Sequence, residues 1–372
     1  MFYELLQYQV SAAKVSAVIA SVLKLAHLMP DRLSCRTSVL EMSIQRLYLA
    51  QIHLVEVFAK DTNTVLLTDK TSTFGSKYMG YEAADSDGNL WVLGLREIET
   101  KSADHTLKVF KEILKVLDEN SKLNSNQISR NIICHIVATL SDRAATEVKF
   151  NSLLSDYRRQ ILPLTYYNYN TFSDEEKKSL ESLCNFFCGL HALVNFAETS
   201  KTCIKEIESG LFNGNIPSSD PSYKDSDPGT CRLIRTASKA FGEGSGGDEK
   251  SGCQGSFKTY INTFLRQYKF KSLPLRSYRG ARFNILFQNA AAVFFLHSQM
   301  TEFLEPYGTE NRLLKSILSD LKTIEFIAGV KALGLIYLLI TCPLWTVLDD
   351  PNITITDMND KYLQLVTFLF DS

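Results

Sequence analysis

The spacing of apolar residues changes along the chain, and each change marks a different kind of element. Val15, Val18, Val22, Leu25 and Met29 recur at three and four, which predicts an amphipathic helix ending before Pro30. A second helix is expected over Thr37 to Phe58, with Leu40, Ile44, Leu47, Ala50 and Leu54 as its apolar stripe. From residue 62 the period shortens. Val65 to Thr68 is a run of strand length, and Ser76 to Ala84 and Asn89 to Ile98 are rich in Tyr, Trp, Val and Leu. The turn signal Ser86-Asp87-Gly88-Asn89 joins the latter two as a β-hairpin. Ser102 then opens a helix with Leu107, Phe110, Leu114 and Leu117 on one face. A polar break from Glu119 to Arg130 leads to a fourth strand over Asn131 to Ala138. Ala144 to Leu162 is helical again, carries Val148, Phe150, Leu153, Leu154 and Ile161, and ends before Pro163.

Beyond Pro163 the pattern is helical. Ser173-Asp174-Glu175-Glu176 is a capping box, and the helix it opens is expected to run to about Glu208. Ser209 to Ser256 is rich in Gly, Ser, Asp and Pro and reads as a long loop or disordered excursion. The glycine run Gly242 to Gly247 within it lacks the Gly-Lys-Ser/Thr ending of a phosphate loop. Helices are expected at about Phe257 to Phe270, Arg282 to Leu304, Glu310 to Phe326 and Val330 to Leu339. Ala332 to Leu348 is apolar, but about 17 residues is the bottom of the membrane-spanning range, and Pro343 interrupts it. It reads as a buried core helix ending at Pro343. No spanning segment and no signal peptide are expected. The chain ends in another apolar segment, Leu363 to Phe370, which suggests a fragment of a longer protein.

Composition narrows this picture. Gly and Pro together make up about 7% of the chain against an average near 12%, which favours helices. The net charge of −1 excludes a global basic field, so any nucleic-acid contact depends on a local patch. Eight cysteines without a Cys-x-x-Cys pair suit buried thiols in a reducing compartment, nuclear or cytoplasmic.

Two aspartates stand where chemistry could gather. Asp69 follows the first core strand and Asp142 the fourth, in Ser141-Asp142-Arg143. If those strands are parallel neighbours, both carboxylates lie at one sheet edge, outside the carboxyl ends where ligands bind. Paired carboxylates repel unless a divalent ion lies between them, and Mg²⁺ or Mn²⁺ there could clamp a scissile phosphate. The plain alternative is that Asp69 and Asp142 are strand-end turn formers. Cys184, Cys188 and His191 fall at i, i+4 and i+7, one face of the expected helix. That is three-quarters of a zinc site or, the stronger reading, a buried metal-free cluster in a helix core. Lys269, Lys271, Arg276, Arg279 and Arg282 are interleaved with Tyr268, Phe270, Tyr278 and Phe283, which fits either nucleic-acid contact or a solvated linker. His105 and His135 read as structural.

The element order strand, strand, strand, helix, strand, helix is that of an RNase H-like core, with the helix returning the fourth strand beside the first. Together with Asp69, Ser141-Asp142-Arg143 and Cys188-Gly189-Leu190-His191, it resembles the DDE transposases of the hAT superfamily and uncharacterised animal proteins related to mobile elements. Arg282-Phe283-Asn284 resembles that family's later Arg-Trp-Asn element. The resemblance implies an α+β, helix-rich fold: N-terminal helices over 1–60, a core begun over 61–170, an all-helical insertion over 171–340, and a return to the core over 341–372. It implies cutting and joining of DNA with two metal ions held by Asp69, Asp142 and a third carboxylate. That carboxylate is Glu in the family, but Thr341 to Asp350 holds none, and Asp349 or Asp350 is the only substitute. The family's N-terminal zinc finger is also absent. A domesticated, non-catalytic DNA- or protein-binding chain, with self-association open and no small-molecule cofactor, is the alternative.

Overall fold

Alternating burial along Thr64–Thr73 (β1) identifies the strand at the centre of a five-stranded mixed sheet. β1 pairs antiparallel with Ser76–Ala84 (β2), and β2 pairs antiparallel with Leu90–Glu97 (β3). On its other side β1 pairs parallel with Ile136–Ser141 (β4), which pairs parallel with Cys184–Phe187 (β5). The spatial order is β3-β2-β1-β4-β5. The computed structural model describes residues 2–73, 75–121, 127–218, 227–242, 253–265, 272–278, 284–307 and 311–371. It is α+β and helix-rich, and divides into two units, Met1–Phe187 and Cys188–Ser372.

The hairpin between β2 and β3 forms as its turn residues dictate. The Asp85 carboxylate accepts from the backbone N–H groups of Asp87 and Asn89, and Gly88 supplies the left-handed φ of 83° that the turn needs. The sheet buries one face under helices Ala103–Glu119 (α4), Gln127–His135 (α5) and Ala145–Thr165 (α6). Leu66, Met79, Tyr81, Phe110, Ile113 and Phe150 form that core. As expected, Ser102 caps α4 by accepting from the His105 backbone N–H.

Several expectations need correction in this unit. Helices Phe2–Gln7 (α1), Ala12–Leu25 (α2) and Arg36–Phe58 (α3) precede the sheet. Along α3 the expected stripe is mostly solvent-facing: Leu40, Ile44 and Leu47 are exposed, whereas Val39, Leu54, Val55 and Phe58 are buried. The reason is length: 23 residues span about 35 Å. The helix meets Val15 and Ile19 through Val39, and the sheet core only through its last turns. Val22 and Leu25 of α2 are also exposed. The expected strand over 131–138 is helical through His135, because Ile128, Ile132 and Ile133 are buried at helical spacing, and strand begins only at Ile136. α6 continues through Pro163, with Val148 exposed.

The single helix expected from Ser173 to Glu208 is three elements. Ser173 closes its capping box with Glu176, but the helix it opens, Asp174–Glu181 (α7), is followed by β5 and then by Gly189–Leu211 (α8). Arg158 of α6 explains part of this placement. Its guanidinium is buried and donates to the carbonyls of Cys134 and Ser182, tying β4's approach to that of β5.

The described elements of the second unit are all helices. Gly229–Phe241 (α9) lies inside the stretch read as a loop, yet Leu233, Ile234, Ala237 and Phe241 have no exposed surface. It packs with Gln254–Phe264 (α10), Ile285–Tyr307 (α11), Arg312–Leu321 (α12) and Ile324–Ile336 (α13). A Cβ at Gly229 would lie 2.1 Å from the Phe326 ring, so only glycine permits that approach. After α13 a π-helical segment, Tyr337–Thr341, leads into Cys342–Leu348 (α14). The helix therefore passes Pro343 instead of ending there, because proline is tolerated in the first turn after the π segment. Ile324–Leu348 is long and apolar enough to cross a membrane, and a third of its most apolar window is buried. A final helix, Asp357–Asp371 (α15), carries exposed Leu363, Val366 and Phe370.

Candidate functional site

The parallel pairing of β1 with β4 sets the geometry around Asp69 and Asp142. Leu67–Leu140 is the last paired rung of the two strands; two residues further on, Asp69 lies inside β1, which runs on to Thr73 instead of ending before it as expected, and Asp142 lies one residue beyond the end of β4. Paired residues on parallel strands share a face, and neighbouring strands lie about 4.8 Å apart. Both residues therefore lie just past the last rung of the parallel pair, at that edge, and Asp69 points to the face opposite α4 to α6. Asp69 is exposed and Asp142 half-buried. Across β2, Asp69 faces Gly80, so no side chain occupies that flank. Glu82, the partner of Leu67, projects from the same face one step back along β2. Asp142 Oδ1 accepts from the Ala144 backbone N–H at 3.0 Å, which organises the turn into α6.

Beneath this edge is a polar network that sequence reasoning missed. Thr68 and Lys70 flank Asp69 and point to the helix-covered face. Thr68 Oγ1 donates to Glu147 Oε2 at 2.9 Å, and Lys70 Nζ lies 2.5 Å from Glu147 Oε1. Both ionic side chains are nearly sealed from solvent. Glu147 occupies the first turn of α6, where the helix dipole favours an anion. The network ties β1 on either side of Asp69 to the first turn of α6, which follows Asp142. Glu147 also acts on Tyr81: burial first, then this nearby charge, pushes the Tyr81 hydroxyl above its ordinary value. A glutamate five residues beyond Asp142 was the only signal in the sequence, and a polar residue in a first helical turn usually faces water.

The other candidates are dispersed. Asp349 is the exposed C-cap of α14, and Asp350 accepts from the Asn352 backbone N–H and side-chain amide. Cys184 is not on a helix: it is an exposed residue of β5. Cys188 is the N-cap of α8 and His191 lies in its first turn, both half-buried, so the buried one-faced cluster does not form. The physical reason is that the segment before Cys188 pairs with β4, and strand spacing replaces helical spacing. Lys269, Lys271, Arg279, Arg282 and Phe283 lie outside the described residues. Arg276 is exposed, and its backbone exchanges two hydrogen bonds with the Asn289 side chain. Asn284 donates weakly to the Thr341 carbonyl. His135 is half-buried at the end of α5. Burial pushes its imidazole below the ordinary value, against the opposing pull of Asp61.

The donor set is short of a two-metal centre. Asp69 and Asp142 are the two carboxylates next to the last rung of the parallel pair. Among the described residues, however, no group of three or more His, Cys, Asp and Glu side chains is arranged to hold a metal. Family models give no match to this chain, and no curated protein matches it.

Proposed function

We propose that this chain derives from a hAT-type DDE transposase, with an RNase H-like core and a helical insertion, and that it contacts DNA without cutting it. The observation that carries the reading is the sheet order β3-β2-β1-β4-β5, with Asp69 and Asp142 each two residues past the last paired rung of β1 and β4. β5 adds support. An RNase H-like sheet needs a fifth strand parallel to the fourth, and Cys184–Phe187 supplies one.

Loss of cleavage follows from the donor set. Two-metal phosphoryl chemistry needs carboxylates that fix both ions against nucleophile and leaving group, and an error near 1 Å costs about a hundredfold in rate. Asp69 and Asp142 supply two donors. Asp349 is one methylene shorter than the family's Glu and stands where α14 has already ended. The residues present therefore do not fit the metal pair, and no cleavage step is assigned to them. DNA contact would rest on Lys269, Lys271, Arg276, Arg279 and Arg282, about five charges, with a salt slope no steeper than about −4 to −5.

A plasmid-nicking assay on the full chain with Mg²⁺ or Mn²⁺ tests the first claim, and a mobility-shift titration across salt concentrations tests the second. The expected result is salt-sensitive binding with no nicking. Nicking that disappears in Asp69→Ala and Asp142→Ala would restore the enzyme. Absence of DNA binding at low salt would leave the domesticated protein-binding alternative.

A further inference from the structure

A groove of about 460 Å³ opens between the C-terminal end of α3 and the β2–β3 turn, away from the paired aspartates. Its lining includes Glu56, Asp61, Asp85 and Asp87, against a single basic residue, Lys60. It also has an aromatic corner: the rings of His53 and Trp91 meet at 84° with centroids 5.1 Å apart.

The four carboxylates have two different jobs. Asp61 accepts from Thr64 Oγ1 at 2.6 Å and from the Ser86 N–H at 3.0 Å. Asp85 accepts from Trp91 Nε1 at 2.7 Å as well as from the turn amides. Burial pushes Asp61 up, but its hydrogen bonds outweigh that and hold it below the usual range, and the Trp91 bond does the same for Asp85. These two stay ionised and shape the groove. Glu56 and Asp87 have no side-chain hydrogen bond or ion pair among the described residues, so their charges face the opening unneutralised.

We infer that this groove binds a basic side chain, lysine or arginine, of a partner protein's peptide segment. A phosphate-bearing ligand would meet net negative charge. A bare metal ion would find Asp61 and Asp85 already committed to N–H and O–H donors. An organic cation on a flexible stem suits both features, its charge between Glu56 and Asp87 and its stem or face against Trp91.

The probe is a fluorescein-labelled peptide of sequence Ala-Arg-Ala-Lys-Ala-Arg, with a Glu-substituted peptide as control, titrated against the full chain. Because the chain has only two tryptophans, Trp345→Phe leaves Trp91 as a local reporter. Saturable binding of the basic peptide alone is expected, with a change in Trp91 emission. Glu56→Gln with Asp87→Asn should weaken it about tenfold, since each removes a charge facing the ligand without breaking an internal bond. No binding at low salt, or binding that is indifferent to this double variant and silent at Trp91, overturns the assignment. Equal affinity for arginine amide at matched concentration overturns the peptide and leaves a small-cation site.

Discussion

The two units handle buried charge in opposite settings. In the second, Arg232 and Asp320 have almost no exposed surface and form a fork, Nε to Oδ2 at 2.9 Å and Nη2 to Oδ1 at 2.7 Å. Arg232 also donates to the Pro217 carbonyl and lies 5.5 Å from the Phe326 ring centroid. Nearby, the buried Glu208 accepts from the Gly229 and Thr230 N–H groups and so caps α9 from α8. These charges hold helices together in the middle of an apolar core. In the first unit the Lys70–Glu147 pair lies beside exposed Asp69 and close in sequence to half-buried Asp142. The same chemistry braces an interior in one case and positions an edge in the other. A buried ion pair therefore marks a candidate site only when exposed polar groups adjoin it.

The largest expected effect breaks the interior fork. Arg232→Met leaves Asp320 charged and unpaired, at a cost of about 3–5 kcal/mol in urea unfolding, while Arg232→Met with Asp320→Leu should recover much of it. Full recovery would mean the fork adds no stability of its own. Next, Glu147→Ala strands Lys70 and Thr68 and should cost about 2 kcal/mol. It should also shift the Asp69 and Asp142 resonances in a carbon-detected NMR spectrum. Loss of stability without those shifts would remove the positioning role. Ser173→Ala deletes the hydroxyl half of the α7 capping box, leaving the Ser173 backbone N–H bonded to Glu176, and should cost about 1 kcal/mol of thermal stability.

The smallest effect concerns pH. Hydrogen bonds hold Asp61 below its ordinary value of 3.8, despite burial, so the unfolded chain binds its proton more tightly than the folded one. Its contribution is present above pH 3.8 and is lost as pH falls through the lower folded value. Asp61→Asn should therefore lie closest to wild type at the acid end of a stability-against-pH series. A gap that widens toward acid would contradict this.

The sequence by itself determined what local chemistry can settle. The hairpin follows from Asp85, Gly88 and alternating residues, the start of α4 from Ser102, and the start of α7 from Ser173 and Glu176, because turns and caps are decided within a few residues. It placed Asp142 just after β4, whereas Asp69, expected after its strand, lies inside β1 because the pairing with β2 carries that strand on to Thr73. Only the tertiary structure decided which apolar stripe of α3 is buried, since that depends on how far the core reaches along a helix longer than the core. It alone made Cys184 to Phe187 a strand: four residues have no period of their own, and the partner edge of β4 supplied the missing hydrogen bonds. The burial of α9 within a Gly- and Ser-rich stretch has the same origin, since neighbouring helices enclose it. Lys70 and Glu147 are 77 positions apart, and only the parallel crossover from β1 to β4 brings them together next to Asp69.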